Sequence, residues 1–272
     1  RQKNKNSLSI FDFGFVKGHA SNANDKGDTR AHIFTNSILD LSLNNYKNSM
    51  LKLNYQKVTN DNYLKIFDLE SAIVPVNNNV LESILELNLE HENYDFTTSF
   101  EMFETLKGSN SDRYQYVLPS YNFSKNFNFE GVGGSYNFNS YGNNTLRDTN
   151  ITTSKNFNDL KYLSINNLLD NGITTNFEIS LKNVNTTGKN DLEYKEKLHS
   201  KLMSAYTYNA SLPMIKKTSS SFNTLEPKLS LRLSPHNMKD NKNVERRINI
   251  NNIFASNRLS IDDSFEGGES LT

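Results

Sequence analysis

The chain is 272 residues long, with 30 Lys and Arg balanced by 30 Asp and Glu, 13 Tyr, 17 Phe, and no Cys or Trp. Zero net charge argues against the basic face of a dedicated nucleic-acid binder and against a polybasic membrane-surface peptide. The lack of Cys excludes disulfides, cysteine-ligated zinc, iron–sulfur clusters and thiol nucleophiles, and a hydrophobic content of only 35% argues against a thick two-sided apolar core.

Two-residue alternation of apolar and polar side chains dominates, and it starts early. Residues 7–17 align Phe11, Phe13 and Phe15, residues 30–43 align Ile33, Leu39, Leu41 and Leu43, and residues 50–58 set Leu51, Leu53 and Tyr55 against Lys52, Asn54 and Gln56. Residues 80–91 are the cleanest case, with Leu81, Leu85, Leu87 and Leu89 opposite Glu82, Glu86, Asn88 and Glu90. Residues 94–106 follow, with Tyr94, Phe96, Phe100 and Met102 aligned. A two-residue turn at Glu92-Asn93 pairs Leu89 with Phe96, Leu87 with Thr98 and Leu85 with Phe100 on one face. It pairs Glu90 with Asp95, Asn88 with Thr97 and Glu86 with Ser99 on the other. Residues 113–124 and 127–136 read as a hairpin over Ser124-Lys125-Asn126, with Phe123 against Phe127 and Tyr121 against Phe129. Residues 160–169, 173–184, 197–214 and 219–234 bring the count to about a dozen strands, many longer than the usual five or six residues.

Connections alternate in length. Short ones (Glu92-Asn93, 124–126, roughly 44–48) sit between long polar ones (18–29, 59–79, 108–112, 185–193, 235–251). This is the pattern of an antiparallel transmembrane β-barrel, whose wet interior also accounts for low mean hydropathy. Strand alternation then puts loops 18–29 and 235–251 on one rim, opposite Glu92-Asn93. The competing folds are a soluble β-sandwich, which has shorter strands, and a β-solenoid, which shows a fixed repeat that is not found here. No apolar run reaches the ~18–20 residues of a membrane-spanning helix. Asn occurs 43 times, which reads either as a disordered polar tract or as codon bias of an AT-rich genome. Aromatic residues at 11% and regular spacing argue against disorder, and the Asn-x-Ser/Thr matches at Asn122, Asn143, Asn150, Asn185 and Asn209 follow from the Asn content. The chain opens at Arg1 without a signal-like segment and stops at Leu271-Thr272 inside a predicted strand, so it reads as a section of a longer protein.

Nothing nominates a catalytic, cofactor or metal site. His19, His32, His91, His199 and His236 are scattered, as expected of surface or strand-end residues, and there is no nucleophile elbow. Gly131-Val132-Gly133-Gly134 lacks the Lys-Ser/Thr ending and the helix of a phosphate loop, and reads as close packing or bending within a strand. Glu86, Glu90, Asp95 and Glu101 read as a solvated wall rather than a catalytic pair.

Residues 224–235, TLEPKLSLRLSP, and 252–272, NIFASNRLSIDDSFEGGESLT, carry more specific information. With Leu225-Glu226-Pro227 opening a strand, and Asn257-Arg258 followed by Phe265-Glu266-Gly267-Gly268, they resemble the LPS-assembly family LptD, also called OstA or organic solvent tolerance. Compatible stretches in matching order are Asp28-Thr29-Arg30, the segment from Val58 to Leu64, and Tyr116-Val117-Leu118-Pro119. The resemblance thus runs from about residue 28 to 272.

It implies a middle section of a large barrel, near the ~26-strand top of the size range, in the outer membrane of a Gram-negative bacterium. Such a protein receives lipopolysaccharide from a periplasmic bridge, is plugged by an LptE-type lipoprotein, and inserts its cargo into the outer leaflet. No enzyme activity, cofactor or nucleic-acid partner is implied. The family's N-terminal jelly-roll, gate strands and closing strands have no counterpart in 1–272, and neither do its paired cysteines. Pro119 does not match the gate position. An open sheet with unpaired edges is the expected fold of these residues. A generic porin or outer-membrane channel is the alternative function, and a soluble secreted β-protein a third.

Overall fold

The computed structural model describes residues 2–4, 6–17, 29–106, 113–148, 150–237, 248–255, 257–258 and 263–272. His19 and the expected loops 18–29, 108–112 and 235–251 lie wholly or mostly outside these residues.

The elements are β1 (Gln2–Asn4), β2 (Ser7–Lys17), β3 (Thr29–Asp40), β4 (Asn48–Val58), α1 (Tyr63–Ile66), β5 (Val80–Glu90), β6 (Tyr94–Thr105), β7 (Tyr114–Phe127), β8 (Ser135–Arg147) and β9 (Ile151–Leu163). They continue with β10 (Asn167–Leu168), β11 (Thr174–Lys189), β12 (His199–Ser211), β13 (Met214–Lys217), β14 (Phe222–Leu225), β15 (Lys228–Ser234) and β16 (Gly268–Leu271). Fourteen strands form one sheet in the order β1-β2-β3-β4-β5-β6-β7-β8-β9-β11-β12-β15-β16, with β10 on β11 and with β13 and β14 a separate pair. Nearly every connection is to the next strand, and β1 and β16 are the two ends of the order, so the chain adopts the partial, unclosed β-barrel expected from the alternation together with the family resemblance. No helix among the described residues is long and apolar enough to cross a membrane, which says nothing of crossing with strands.

Two compact units divide the chain, and each is described by itself. In the first (1–123, 141–155, 186–198), β5 and β6 pair in the register expected, Leu89 with Phe96, Leu85 with Phe100 and Glu86 with Ser99. His91 ends the strand, its amide donating to the Tyr94 carbonyl at 2.8 Å and its ring stacked on Tyr94. On β4, Leu53 faces Leu85, so Leu53, Leu85 and Phe100 make an apolar row that is 39, 42 and 46% exposed. Phe13 and Ile33 pair likewise on β2 and β3, and both are exposed. Along these rows the wall is built inside out relative to a soluble fold, with Leu53, Leu85, Phe100, Phe13 and Ile33 exposed.

Residues 59–79 are not the open polar loop expected. They hold α1, and Tyr63, Leu64 and Val74 are buried with Phe34, Val58, Leu81 and Leu106. His32 is correspondingly not a surface residue. Its side chain is 7% exposed, its Nε2 lies 3.1 Å from Asp12 Oδ1, its Nδ1 lies 3.3 Å from the Tyr63 hydroxyl, and its ring stacks on Phe34. The fully buried Glu104 fixes the base of this segment. Lys57 Nζ donates to it at 2.7 Å, Arg113 Nε at 2.8 Å and the Tyr114 hydroxyl at 3.1 Å, while Arg113 also pairs with Asp61 at 2.7 Å. Hydrogen bonding from Arg113 to Asp61, and then to Glu104, holds that guanidinium above its ordinary range.

The loop expected at 185–193 lies instead at 190–198, because β11 runs on to Lys189 and β12 begins at His199. Asp191 closes the turn that follows. Its Oδ1 accepts from the Glu193 and Tyr194 amides at 2.8 and 3.1 Å, and its Oδ2 from the Thr153 hydroxyl at 2.8 Å and Arg147 at 3.1 Å. The Thr153 hydroxyl first, then the backbone donors, hold its carboxyl at about 2, below the ordinary 3.8. A depressed carboxylate contributes stability that is present above its ordinary pKa and disappears as pH falls through the folded value. Pepsin cleavage within 190–198, normalised to an unstructured peptide, should therefore rise as pH falls from about 4 to about 2. In Asp191→Ala it should be high throughout that range; a native-like, pH-independent profile for this variant would show that the cap does not hold the turn.

The second unit (124–140, 156–185, 199–272) contains the largest departure from the sequence pattern. There is no hairpin at 124–126: β7 continues through Phe127, and the turn lies at 128–134. Phe123 and Phe127 share a strand, and Phe127 stacks on Tyr136 at 5.4 Å. Gly131 to Gly134 form this turn rather than a strand, with φ of 82° at Gly131 and 111° at Gly134. A Cβ on Gly134 would sit 2.4 Å from the Leu163 carbonyl oxygen, so only glycine fits. The expected strand 160–169 divides between β9 and β10, 219–234 between β14 and β15, and most of β8 and the first half of β9 were not expected at all.

Candidate functional site

On β15 the sequence Leu-Ser-Leu-Arg-Leu-Ser puts Leu229, Leu231 and Leu233 on the exposed face and Ser230, Arg232 and Ser234 on the buried one. β11 does the same with the buried Glu178, Ser180 and Lys182. A face that is buried yet polar and charged must satisfy its groups locally. Lys182 Nζ donates to Asp159 at 2.7 Å and Lys161 Nζ lies 2.7 Å from Glu178, so β9 and β11 are cross-linked by two ion pairs.

Residues 257–258 and 263–268 lie against this face. Arg258 grips Glu266 with a two-pronged contact, Nε to Oε2 at 2.8 Å and Nη2 to Oε1, and both side chains are largely buried. Arg232 Nη2 donates to the Glu266 carbonyl at 2.8 Å, and His236 Nε2 meets the Phe265 carbonyl at 3.2 Å. The Phe265 ring is 5% exposed with Lys182 Nζ 5.6 Å from its centre. Gly268 then enters β16 with φ of 90°, a backbone angle that explains glycine there. The arrangement is a staple: one aromatic anchor and one buried ion pair fix a crossing segment against a polar wall. A buried pair of this kind specifies register more than it adds stability.

Of the motif residues singled out in the sequence, the structure brings Arg258, Phe265, Glu266 and Gly268 together, with Gly267 between them. Asn257 lies beside Arg258 in the preceding turn. Leu225, Glu226 and Pro227 are elsewhere: Leu225 ends β14, exposed, and the Pro227 carbonyl accepts from Leu212 at 3.0 Å at the entrance to β15. Arg232 and Lys182, which carry much of the site's charge, were missed. The alternation of β15 places Arg232 among serines and opposite leucines, and that signal could have found it. Lys182 and Asp159 meet only through strand pairing. Among the described residues no cluster of His, Asp and Glu side chains converges to hold a metal ion.

In comparison with known families, the model of LptD, LPS transport system D, matches residues 29–272. No curated protein matches the chain.

Proposed function

The chain belongs to the LptD family, and from that membership we propose that it forms part of the barrel wall through which lipopolysaccharide is inserted into the outer leaflet. The family's work is lipopolysaccharide transport and assembly at the outer membrane rather than enzymatic catalysis. The observation that carries the finer reading is the inside-out burial. In the second unit Leu229, Leu231 and Leu233 face outward, where lipid would meet them, while Arg232 on the same strand and the nearby Glu178 and Lys182 are buried. In the first unit Leu53, Leu85 and Phe100 form a like exposed row. Lipopolysaccharide joins a charged, sugar-rich head to apolar acyl chains. A polar wall solvates the head, and acyl chains pass to lipid at a seam between strands. No step requires a covalent change.

In this reading the jelly-roll that takes cargo from the periplasmic bridge, the gate strands and the closing strands belong to the rest of the protein, and an LptE-type lipoprotein fills the barrel. Leu225-Glu226-Pro227 and the Arg258–Glu266 staple act structurally, setting where β15 and β16 begin. Depletion of the full-length protein, followed by quantitation of cell-surface lipopolysaccharide, tests the function. Surface lipopolysaccharide should fall while total lipopolysaccharide persists. Normal surface levels combined with reduced uptake of small solutes would instead identify a diffusion channel.

A further inference from the structure

Four side chains of the second unit, one in the connection before β10 and one each on the neighbouring strands β11, β12 and β15, form a continuous ladder. Asn176 Nδ2 on β11 donates to Asn166 Oδ1 at 2.9 Å, Asn209 Nδ2 on β12 donates to Asn176 Oδ1 at 3.0 Å, and the Ser230 hydroxyl on β15 donates to Asn209 Oδ1 at 2.9 Å. Three of these side chains, Asn166, Asn176 and Asn209, line a cleft of about 320 Å3 together with Glu226, Lys228 and Phe254. This lies at the lower end of the volumes of small-molecule sites, roughly 300–1,000 Å3.

The ladder dictates what the cleft can bind. An amide has two N–H donors and an oxygen with two lone pairs, and the ladder uses one donor each from Asn176 and Asn209 and one lone pair from each of the three oxygens. The remaining donors and lone pairs are held in fixed orientations, so a ligand need not order them. Amide donors beside amide acceptors match neighbouring hydroxyls, which both give and accept hydrogen bonds. Phe254 adds an apolar ring that can pack on the C–H face of a sugar. Glu226 and Lys228 lie 3.5 Å apart and cancel in charge, so the cleft offers no net field for an isolated anion. One carboxylate is also too few for a metal site.

We propose that this cleft is a saccharide subsite, in which Asn166, Asn176, Asn209 and Phe254 hold a sugar unit of the lipopolysaccharide head. The proposal rests on the transport function and adds to it a place on the wall where cargo pauses.

The test uses the full-length protein, purified in detergent with its natural partners. The probe is the lipid-free oligosaccharide released from lipopolysaccharide by mild acid, titrated calorimetrically. Saturable binding is expected, and Asn209→Ala and Phe254→Ala should each weaken it about tenfold, the effect of one or two lost neutral contacts. Thr207→Ala, on the same strand but outside the cleft, should leave it unchanged. Heat-dependent gel mobility confirms folding, and Phe254→Ala spares the ladder should Asn209→Ala prevent assembly. Wild-type affinity in both cleft variants overturns the subsite. So does absence of oligosaccharide binding in a protein whose depletion abolishes surface lipopolysaccharide, an outcome that leaves transport standing. Undiminished surface lipopolysaccharide on depletion overturns transport, and with it the source of the ligand.

Discussion

Leu85→Arg should destabilise the membrane-inserted protein by ~2–4 kcal/mol, the cost of an arginine facing lipid near the bilayer midplane. Leu85 sits mid-way along β5, flanked by Leu53 and Phe100 on the outward face. Glu86→Arg, one residue along, points the other way, opposite Lys52 and Ser99. Its expected penalty is at most about 1 kcal/mol, from placing like charges across from each other in a wet environment. Leu85→Phe separates lipid from a protein core, because lipid accepts the extra volume whereas a packed core resists it by ~1–3 kcal/mol. Denaturant titrations of the full-length protein folded into vesicles measure all three. Equal tolerance of arginine at 85 and 86, or a clear penalty for Leu85→Phe, would count against a lipid-facing wall.

The second large effect is expected at Glu104. Its carboxylate is fully buried, whereas its partners Lys57 and Arg113 are 36 and 19% exposed. Glu104→Ala strands two cations. Breaking a fully buried pair costs ~3–5 kcal/mol, and the partial exposure of Lys57 brings the expectation to the low end, about 3 kcal/mol. The damage should be local. Arg113 also holds Asp61, so loosening it releases the start of the 59–79 segment. Limited proteolysis of the full-length variant should cut within 59–79 well before the strands. Glu104→Gln, which keeps one oxygen to accept from Arg113 and Tyr114 but turns an NH2 toward Lys57, should show a milder form of the same result. A protease-resistant Glu104→Ala would mean that the buried core of Tyr63, Leu64 and Val74 holds the segment unaided.

How much of this could be read from the sequence depends on contrast across each strand. The β5–β6 hairpin was legible because every second residue changes from apolar to polar, and a slip of one position would invert the whole face. β8 and the first half of β9 lack that contrast. Ser140 donates to Asn158 at 2.8 Å, and Asn158 bonds Asn156 and Asn183. Cross-strand amide bonding supplies what apolar pairing supplies elsewhere, and no hydrophobic period marks it. The misplaced hairpin at 124–126 arose because Phe123 and Phe127 share a face on either reading, and only the left-handed angles at Gly131 and Gly134 decide between them. The helix and core of 59–79 were hidden for a different reason. Tyr63, Leu64 and Val74 show no period of their own, and two of their partners, Phe34 on β3 and Leu106 just past β6, lie far away in sequence. At the candidate site the family motif pointed to Arg258 and Glu266, whereas Lys182 and Asp159 meet through a pairing that no local pattern announces.

The inside-out wall also governs where this chain stores its structural information. Lipid is a fluid without shape, so an outward position such as Leu85 or Leu231 answers one question only, whether the side chain is oily. Isoleucine, valine or phenylalanine there is a synonym. Water on the other face is equally undemanding wherever a polar group stands alone. Individuality is left to places where solid meets solid: the glycine-tight turn at 131–134, the capped turn at Asp191, the packed segment at 59–79 and the contact of Arg258 with Glu266. A saturation scan should accordingly find long permissive walls punctuated by a few intolerant joints.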